Sequence, residues 1–318
     1  MKKLISFLII IAILSFIISL FLGPTSILIS NIYSLTSTEK LILFDIRLPR
    51  LIGAFIIGSS LALSGACFQA ILRNPLADPF VLGVSSGAGL GAVLVMLWLG
   101  FSALIPIIAG SFIGAVLSIF SVLFIATRIG KMSIYYIVLS GVIINSFLSA
   151  FTLLTIYFSH DRLNHLIYWL MGDLSQLNWT QTLILSCGFL IALLYIGFQS
   201  NALNILAMGD SIAHSLGINP NSFRKKILLV TSLLTALCVT FCGIIGFIGL
   251  IIPHIIRILV KDDFRYLLPI SSLAGGTLLI LTDTIARCSI SPTELPIGVI
   301  TAFFGAPFFL WIMRTSSR

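Results

Sequence analysis

"PFVLGVSSGAGLGAVLVMLWLGFSALIPIIAGSFIGAVLSIFSVLFIAT", residues 79–127, contains no Asp, Glu, Lys or Arg. A helix that crosses the hydrocarbon of a bilayer needs about 20 apolar residues. The stretch is therefore long enough for two spanning helices, with the turn predicted near "GFSALIP" at 100–106. Gly83, Gly87 and Gly91 recur every four residues with Gly89 between them. That spacing predicts a smooth stripe on one helix face, suited to close helix packing.

The same composition extends over the whole chain. Of its 318 residues 58% are hydrophobic and only 9% charged, and the mean hydropathy is +1.16. Those values lie outside the range of soluble domains and predict an all-α integral membrane protein. Further uncharged windows fall at 4–22, 51–72, 132–160, 174–209, 227–256, 266–282 and 295–313. "GIIGFIGLIIPH" at 243–254 interrupts one of them, where glycines and Pro253 are expected to loosen or break a helix. The reading is nine clear spans and a short tenth in a single transmembrane domain, 1–318. "MKKLISFLIIIAILSFIISLFLGPTS" resembles a signal peptide, but its apolar run is long and no clean small-x-small site follows, so it is read as an uncleaved first span.

The net charge of +8 does not point to nucleic acid, because the basic residues are scattered between apolar runs. With an even number of spans the termini share a side, and 13 of the 18 Lys and Arg fall on that side. By the positive-inside rule both termini are expected in the cytoplasm. An internal echo accompanies this topology: "GACFQAILRNP" (65–75) shares its Gly-to-Pro spacing with "GIIGFIGLIIP" (243–253), and "SSGAGLGAVL" from Ser85 resembles "SSLAGGTLL" from Ser271. The copies run in opposite directions through the membrane, as inverted repeats of transporters do. The repeats are placed at about 47–157 and 224–313.

Catalytic inventory is thin. "IGKMS" at 129–133 lacks the first glycine and the Ser/Thr of a P-loop, so no nucleotide binding by this chain is expected. Asp283 alone interrupts the apolar run that closes the second repeat, and no paired intramembrane carboxylates suggest proton coupling. The five cysteines give no disulfide framework; Cys238 and Cys242, one helical turn apart, are read as small packing residues and not as a soft-metal pair. His160, Asp161 and His165 are read as exposed loop residues, and His254 as hydrogen-bonded within the broken helix. No metal site is expected.

Two polar features remain. Arg47, Arg50 and Arg287 oppose the positive-inside bias, which suggests either an anionic partner outside or snorkelling to lipid phosphates. "NILAMGDSIAHSLGINP" (204–220) is a polar island too short to span. Asp210 or Ser211 is a plausible helix cap, Ala213 and Leu216 share a face, and Gly217 is a stop. The segment reads as a short cytoplasmic knob that fits a groove on another protein, with a detachable ATPase the economical partner.

These stretches together resemble the FecCD/BtuC family, the membrane subunits of ATP-binding-cassette importers for iron siderophores, haem and cobalamin. The matching stretches are "RLPRLIGAFIIGSSLALSGACFQAILRNPLADPFVLGVSSGAG" (47–89), "WLMGDLS" (169–175), "MGDSIAHSLGIN" (208–219), "GFIGLIIPHIIR" (246–257) and "ELPIGVITAFFGAPFFLW" (294–311). The resemblance implies ten transmembrane helices, a dimer of two permease subunits (identical or paralogous), two cytoplasmic ATPase subunits that carry the ATP and Mg, and an extracytoplasmic binding protein. It implies no cofactor on this chain and a place in the bacterial cytoplasmic (inner) membrane. It makes the segment around Gly209, Asp210, Ala213, Leu216 and Gly217 the coupling helix, and it sets Arg47, Arg50 and Arg287 against acidic residues of the binding protein. The cytoplasmic gate would lie at Ser133, Ile134, Tyr135 and Tyr136, where the two tyrosines are bulkier than the small hydroxyl residues that relatives can carry. The expected function is ATP-driven import of a ferric siderophore or haem, with cobalamin the alternative and an ion-coupled carrier the rival from another class.

Overall fold

A computed structural model describes residues 2–25, 27, 35–99, 104–130, 132–158, 163–290 and 293–316. No strand occurs among the described residues. Ten apolar helices carry the fold: α1 (Lys2–Phe21), α2 (Leu48–Ile71), α3 (Val84–Leu99), α4 (Leu104–Gly130), α5 (Ile134–Tyr157), α6 (Trp179–Phe198), α7 (Pro220–Cys242), α8 (Ile248–Val260), α9 (Phe264–Cys288) and α10 (Ile297–Ser316). Seven helices among the described residues are long and apolar enough to cross a membrane, and α3, α8 and the described part of α10 are shorter apolar helices. Of the turn predicted at 100–106, residues 100–103 lie outside the described residues, and 104–106 belong to the first turn of α4. The window 174–209 divides into α6 and a separate helix, Ser200–Met208.

α2 is the axis of the bundle: nearly all of its residues from Pro49 to Ile71 are buried, against α7, α8 and α9. Between lipid-soaked helices apolar burial supplies no net drive, so close backbone approach decides the packing. Gly58 faces the backbone of Gly275 on α9, and Gly65 faces that of Gly249 on α8. Gly87 and Gly91 of α3 meet Gly114 and Gly110 of α4 in the same way. The small-residue stripe therefore does pack, with one change. Gly83 lies outside α3, capping the turn Pro79–Leu82 at φ 72° in the left-handed region that suits glycine.

Of the glycines and the proline expected to break the helix at 243–254, the break falls at Gly243 and Gly246 and not at Pro253. α7 ends at Cys242, residues 243–247 leave the helical path, and Pro253 sits inside α8. Pro253 has no N–H for the carbonyl of Gly249. That carbonyl is turned toward Gly65 instead, where any Cβ would collide with it.

Contacts among α2–α5 repeat among α7–α10. Exchanging α2 with α7, α3 with α8, α4 with α9 and α5 with α10 converts α2–α9 into α7–α4, α2–α8 into α7–α3, α3–α4 into α8–α9, and α4–α5 into α9–α10, all of which occur. The echo from Ser85 and Ser271 pairs α3 with α9, whereas the contacts pair α3 with α8. Tight packing selects the same small residues on any helix, so such stretches can look alike without being counterparts.

Candidate functional site

Polar residues gather at the two ends of the bundle. At one end the helix Ser200–Met208 is followed by the six-residue helix Asp210–Ser215, which Gly217 closes at φ 81°. Asn204 ties this region to α9: its Nδ2 donates to Asp263 Oδ1 at 3.0 Å, and its Oδ1 accepts from the Phe264 N–H at 2.9 Å. Asp210 differs from the expected helix cap. Gly209 holds the cap position with no side-chain bond, and the Asp210 carboxylate turns toward the bundle. Its Oδ1 accepts from Arg224 at 2.5 Å and from Arg73. These two cations, the hydrogen bond from Arg224 foremost, hold the carboxyl below its ordinary range.

Ala213 and Leu216 do not share an outward face. Ala213 is wholly buried, and Leu216 is exposed together with Ile212 and Met208. The exposed apolar surface of this segment is thus Met208, Ile212 and Leu216. Ile212 and Met208 were not singled out from the sequence, although their spacing of four was legible there.

Beside this helix lies a cavity of about 780 Å³ lined in part by Gln69, Arg73, Asn204, Met208, His254 and Arg257. Gln69 Oε1, His254 Nδ1, and Arg257 Nε and Nη2 are buried there without a hydrogen-bond partner among the described residues. The internal hydrogen bond expected of His254 is therefore absent at Nδ1. Among the described residues Arg257 has its ion pair at Nη1, with Asp262 at 3.2 Å.

The opposite end holds the three arginines predicted for docking, and they are buried, not displayed. Arg47, Arg50 and Arg287 are 4%, 6% and 2% exposed. Asp283, fully buried on α9, receives Arg50 Nε at 3.0 Å and Nη2 at 2.8 Å. It also lies 3.0 Å from Arg287 Nε, an ion pair whose geometry does not make a hydrogen bond. Arg50 Nη1 reaches the part-exposed Glu294 at 2.8 Å. Arg47 caps the carboxyl end of α1, donating to the carbonyls of Leu20 at 2.9 Å and Phe21 at 3.0 Å, which have no helical donor of their own. The physical reason for the burial is satisfaction of each guanidinium: a carboxylate inside the bundle makes it tolerable to withdraw Arg50 and Arg287 from water, and the α1 carbonyls do so for Arg47.

The predicted gate residues stand at the start of α5. Ser133 is its extended N-cap without a side-chain cap bond, Tyr135 is exposed, and the rings of Tyr135 and Tyr136 meet edge to face at 5.2 Å. Further along, Phe147 and Phe151 of α5 and Phe303 and Phe304 of α10 are exposed. Cys238 and Cys242 are buried free thiols, with Cys242 Sγ 2.8 Å from the Cys238 carbonyl. His160 and Asp161, and the side chain of His165, lie outside the described residues.

Comparison with known proteins places this arrangement. Residues 10–315 match the FecCD transport family. The hemin transport system permease protein HmuU of Yersinia pestis is 36% identical over 98% of this chain and 95% of its own length. The cobalamin import system permease protein BtuC of Halobacterium salinarum is 39% identical over 89% of this chain and 76% of its own. Among solved structures, an inward-facing conformation assigned to the metal-chelate type of ABC transporter superposes with a TM-score of 0.89 at 33% identity, covering 99% of this chain and all of that one.

Proposed function

This chain belongs to the FecCD transport family of multi-pass membrane permeases, and from that membership we propose that it carries a metal chelate, ferric siderophore or haem, inward through a cytoplasmic membrane. The observation that carries the reading is the short helix Asp210–Ser215, which with its flanking residues exposes Met208, Ile212 and Leu216 while Asp210 is bound into the bundle. A separate ATPase docks there and supplies ATP and Mg. The Asp210 end is cytoplasmic, as are both termini, since it gathers most of the basic residues.

The other partners follow from exposed and charged surfaces. A second permease copy, identical or paralogous, covers the apolar faces of α5 and α10, with the pathway between them and Ser133, Ile134, Tyr135 and Tyr136 at its cytoplasmic mouth. A binding protein docks at the arginine end. Three guanidinium groups stand against two carboxylates there, so the cluster keeps an uncompensated positive charge for an acidic partner. Cobalamin is the second substrate reading, carried by the 39% identity to a cobalamin import permease.

The test is uptake by vesicles that contain this chain with its ATPase and binding protein. The expected result is accumulation of a ferric chelate that requires ATP and Mg. Accumulation driven by a proton or sodium gradient without nucleotide contradicts the reading, and uptake of cobalamin alone selects the second substrate.

A further inference from the structure

Arg224 is the largest side chain that the bundle buries completely, at 1% exposure. A guanidinium withdrawn from water is costly unless an anion neutralises it. The anion is Asp210, and Arg224 has no other ion pair among the described residues. The same carboxylate oxygen accepts from Arg73, which follows the end of α2 and also donates to the Leu206 carbonyl at 3.0 Å. Arg73 holds φ 46°, a left-handed conformation that a residue with a Cβ adopts at a cost. Strain kept at such a site marks a position where the side chain is needed.

One carboxylate thus collects the segment just past the end of α2 and the N-terminal part of α7. These two helices are counterparts under the exchange that relates α2–α5 to α7–α10, so each stands first in its half. Asp210 is also the first residue of the short helix proposed to meet the ATPase. The outward contact surface, Met208, Ile212 and Leu216, points elsewhere and is apolar.

We infer that Asp210 is a positioning residue and not a partner contact: with Arg73 and Arg224 it forms the joint through which movement of the Asp210–Ser215 helix reaches both halves of the bundle at once. The inference rests on the reading of that helix as the ATPase docking element. Without the joint, the ATPase would still bind and turn over, but its motion would be absorbed by the loops around Gly209 and Gly217.

The test uses the assembled complex in vesicles. Asp210→Asn alone leaves Arg224 buried and unpaired and can fail at folding, so the decisive variant is Asp210→Asn with Arg224→Met, which removes the charge and its burial cost together. Expected are normal co-purification of the ATPase, persisting ATP hydrolysis, and uptake lowered on the order of tenfold or more, the scale of a lost coupling free energy. Uptake at the wild-type rate overturns the inference. So does loss of the ATPase from this variant, which would make Asp210 a contact residue. Arg73→Gly relieves the strained backbone and cuts one arm; it should hold its ATPase and lose part of its uptake, and unchanged uptake removes α2 from the joint. Ile212→Glu should release the ATPase with the joint intact. If wild-type protein itself retains no ATPase, the docking reading fails and not the joint.

Discussion

Each end of the bundle holds one aspartate between two arginines, and α2 or the residue just past it supplies one arginine to both. At one end Asp283 sits between Arg50 and Arg287 with no exposure at all. At the other, Asp210 sits between Arg73 and Arg224, with its side chain about half exposed. The chemistry is shared and the setting is not. Asp283 belongs to a spanning helix and binds α2 to α9, the helix with which α2 makes its most extensive contact. Asp210 belongs to a six-residue helix between two glycines with positive φ, so its pairing joins a small element to a large one. The comparison teaches that one ion motif can serve as a fixed knot or as a joint, depending on whether its carboxylate is carried by the bundle or by an appendage.

The largest effect should separate these roles. Asp283→Ala leaves Arg50 and Arg287 buried without their shared anion, a loss of about 3–5 kcal/mol for a broken buried pair. Inserted protein and its thermal midpoint in detergent should fall sharply, and adding Arg50→Met should recover part of the loss. If Asp283→Ala is as stable as wild type, the knot is not structural and the contrast with Asp210 disappears.

A smaller effect sharpens the claim that α2 is the fixed element. Gly65→Ala would drive a Cβ into the Gly249 carbonyl, and overpacking of this kind costs about 1–3 kcal/mol. The expected outcome is a lower thermal midpoint with ATPase association unchanged. A midpoint at the wild-type value would mean that α2 and α8 can separate freely.

The smallest effect compares two carboxylates outside the spans by pH. Asp210 is held below its ordinary range by Arg224 and Arg73, so its stabilising contribution is full at neutral pH and is lost as pH falls below about 4 toward its folded value. Asp78, which caps the turn Pro79–Leu82 through the Phe80 N–H, is pushed up to about 6 by burial. Its neutral form is favoured in the fold, so stability is full below about 4 and falls as pH rises through 6. Asp78→Asn keeps an acceptor for the cap and should raise the midpoint modestly at pH 8 but not at pH 4. An equal change at both pH values would show that ionisation of Asp78 has no part in it.

Membrane class, the run of apolar helices and the place of the short helix were legible in the sequence, because each rests on local composition: an uncharged run, a glycine stop, a polar island. That α3 and α8 are shorter than a full span was legible only for α8, after the 243–247 break. The ion clusters were not. Arg73 and Asp210 are 137 residues apart and Arg50 and Asp283 are 233 apart, so no spacing announces either pair. Asp283 was noticed as a charge in an apolar run and Arg287 as a charge against the topology, but their i, i+4 relation on α9 was the available sign that they belong together. Ala213 illustrates the same limit: helical periodicity placed it beside Leu216, and only packing shows that it is buried in the core while Leu216 is exposed. At 243–254 glycines and Pro253 were together the expected breakers; the chain leaves the helix at 243–247, which holds Gly243 and Gly246, while Pro253 stays within α8, where the carbonyl it leaves without a donor faces Gly65.

The account turns on the claim that the Asp210 end is where the ATPase sits. A single cysteine in place of Ile212, in a background free of the five native cysteines, tests it by cross-linking within the purified complex. The account predicts a covalent product with the ATPase at this position and none from a cysteine in place of Phe44, exposed at the arginine end. A product at Phe44 with none at Ile212 would contradict it.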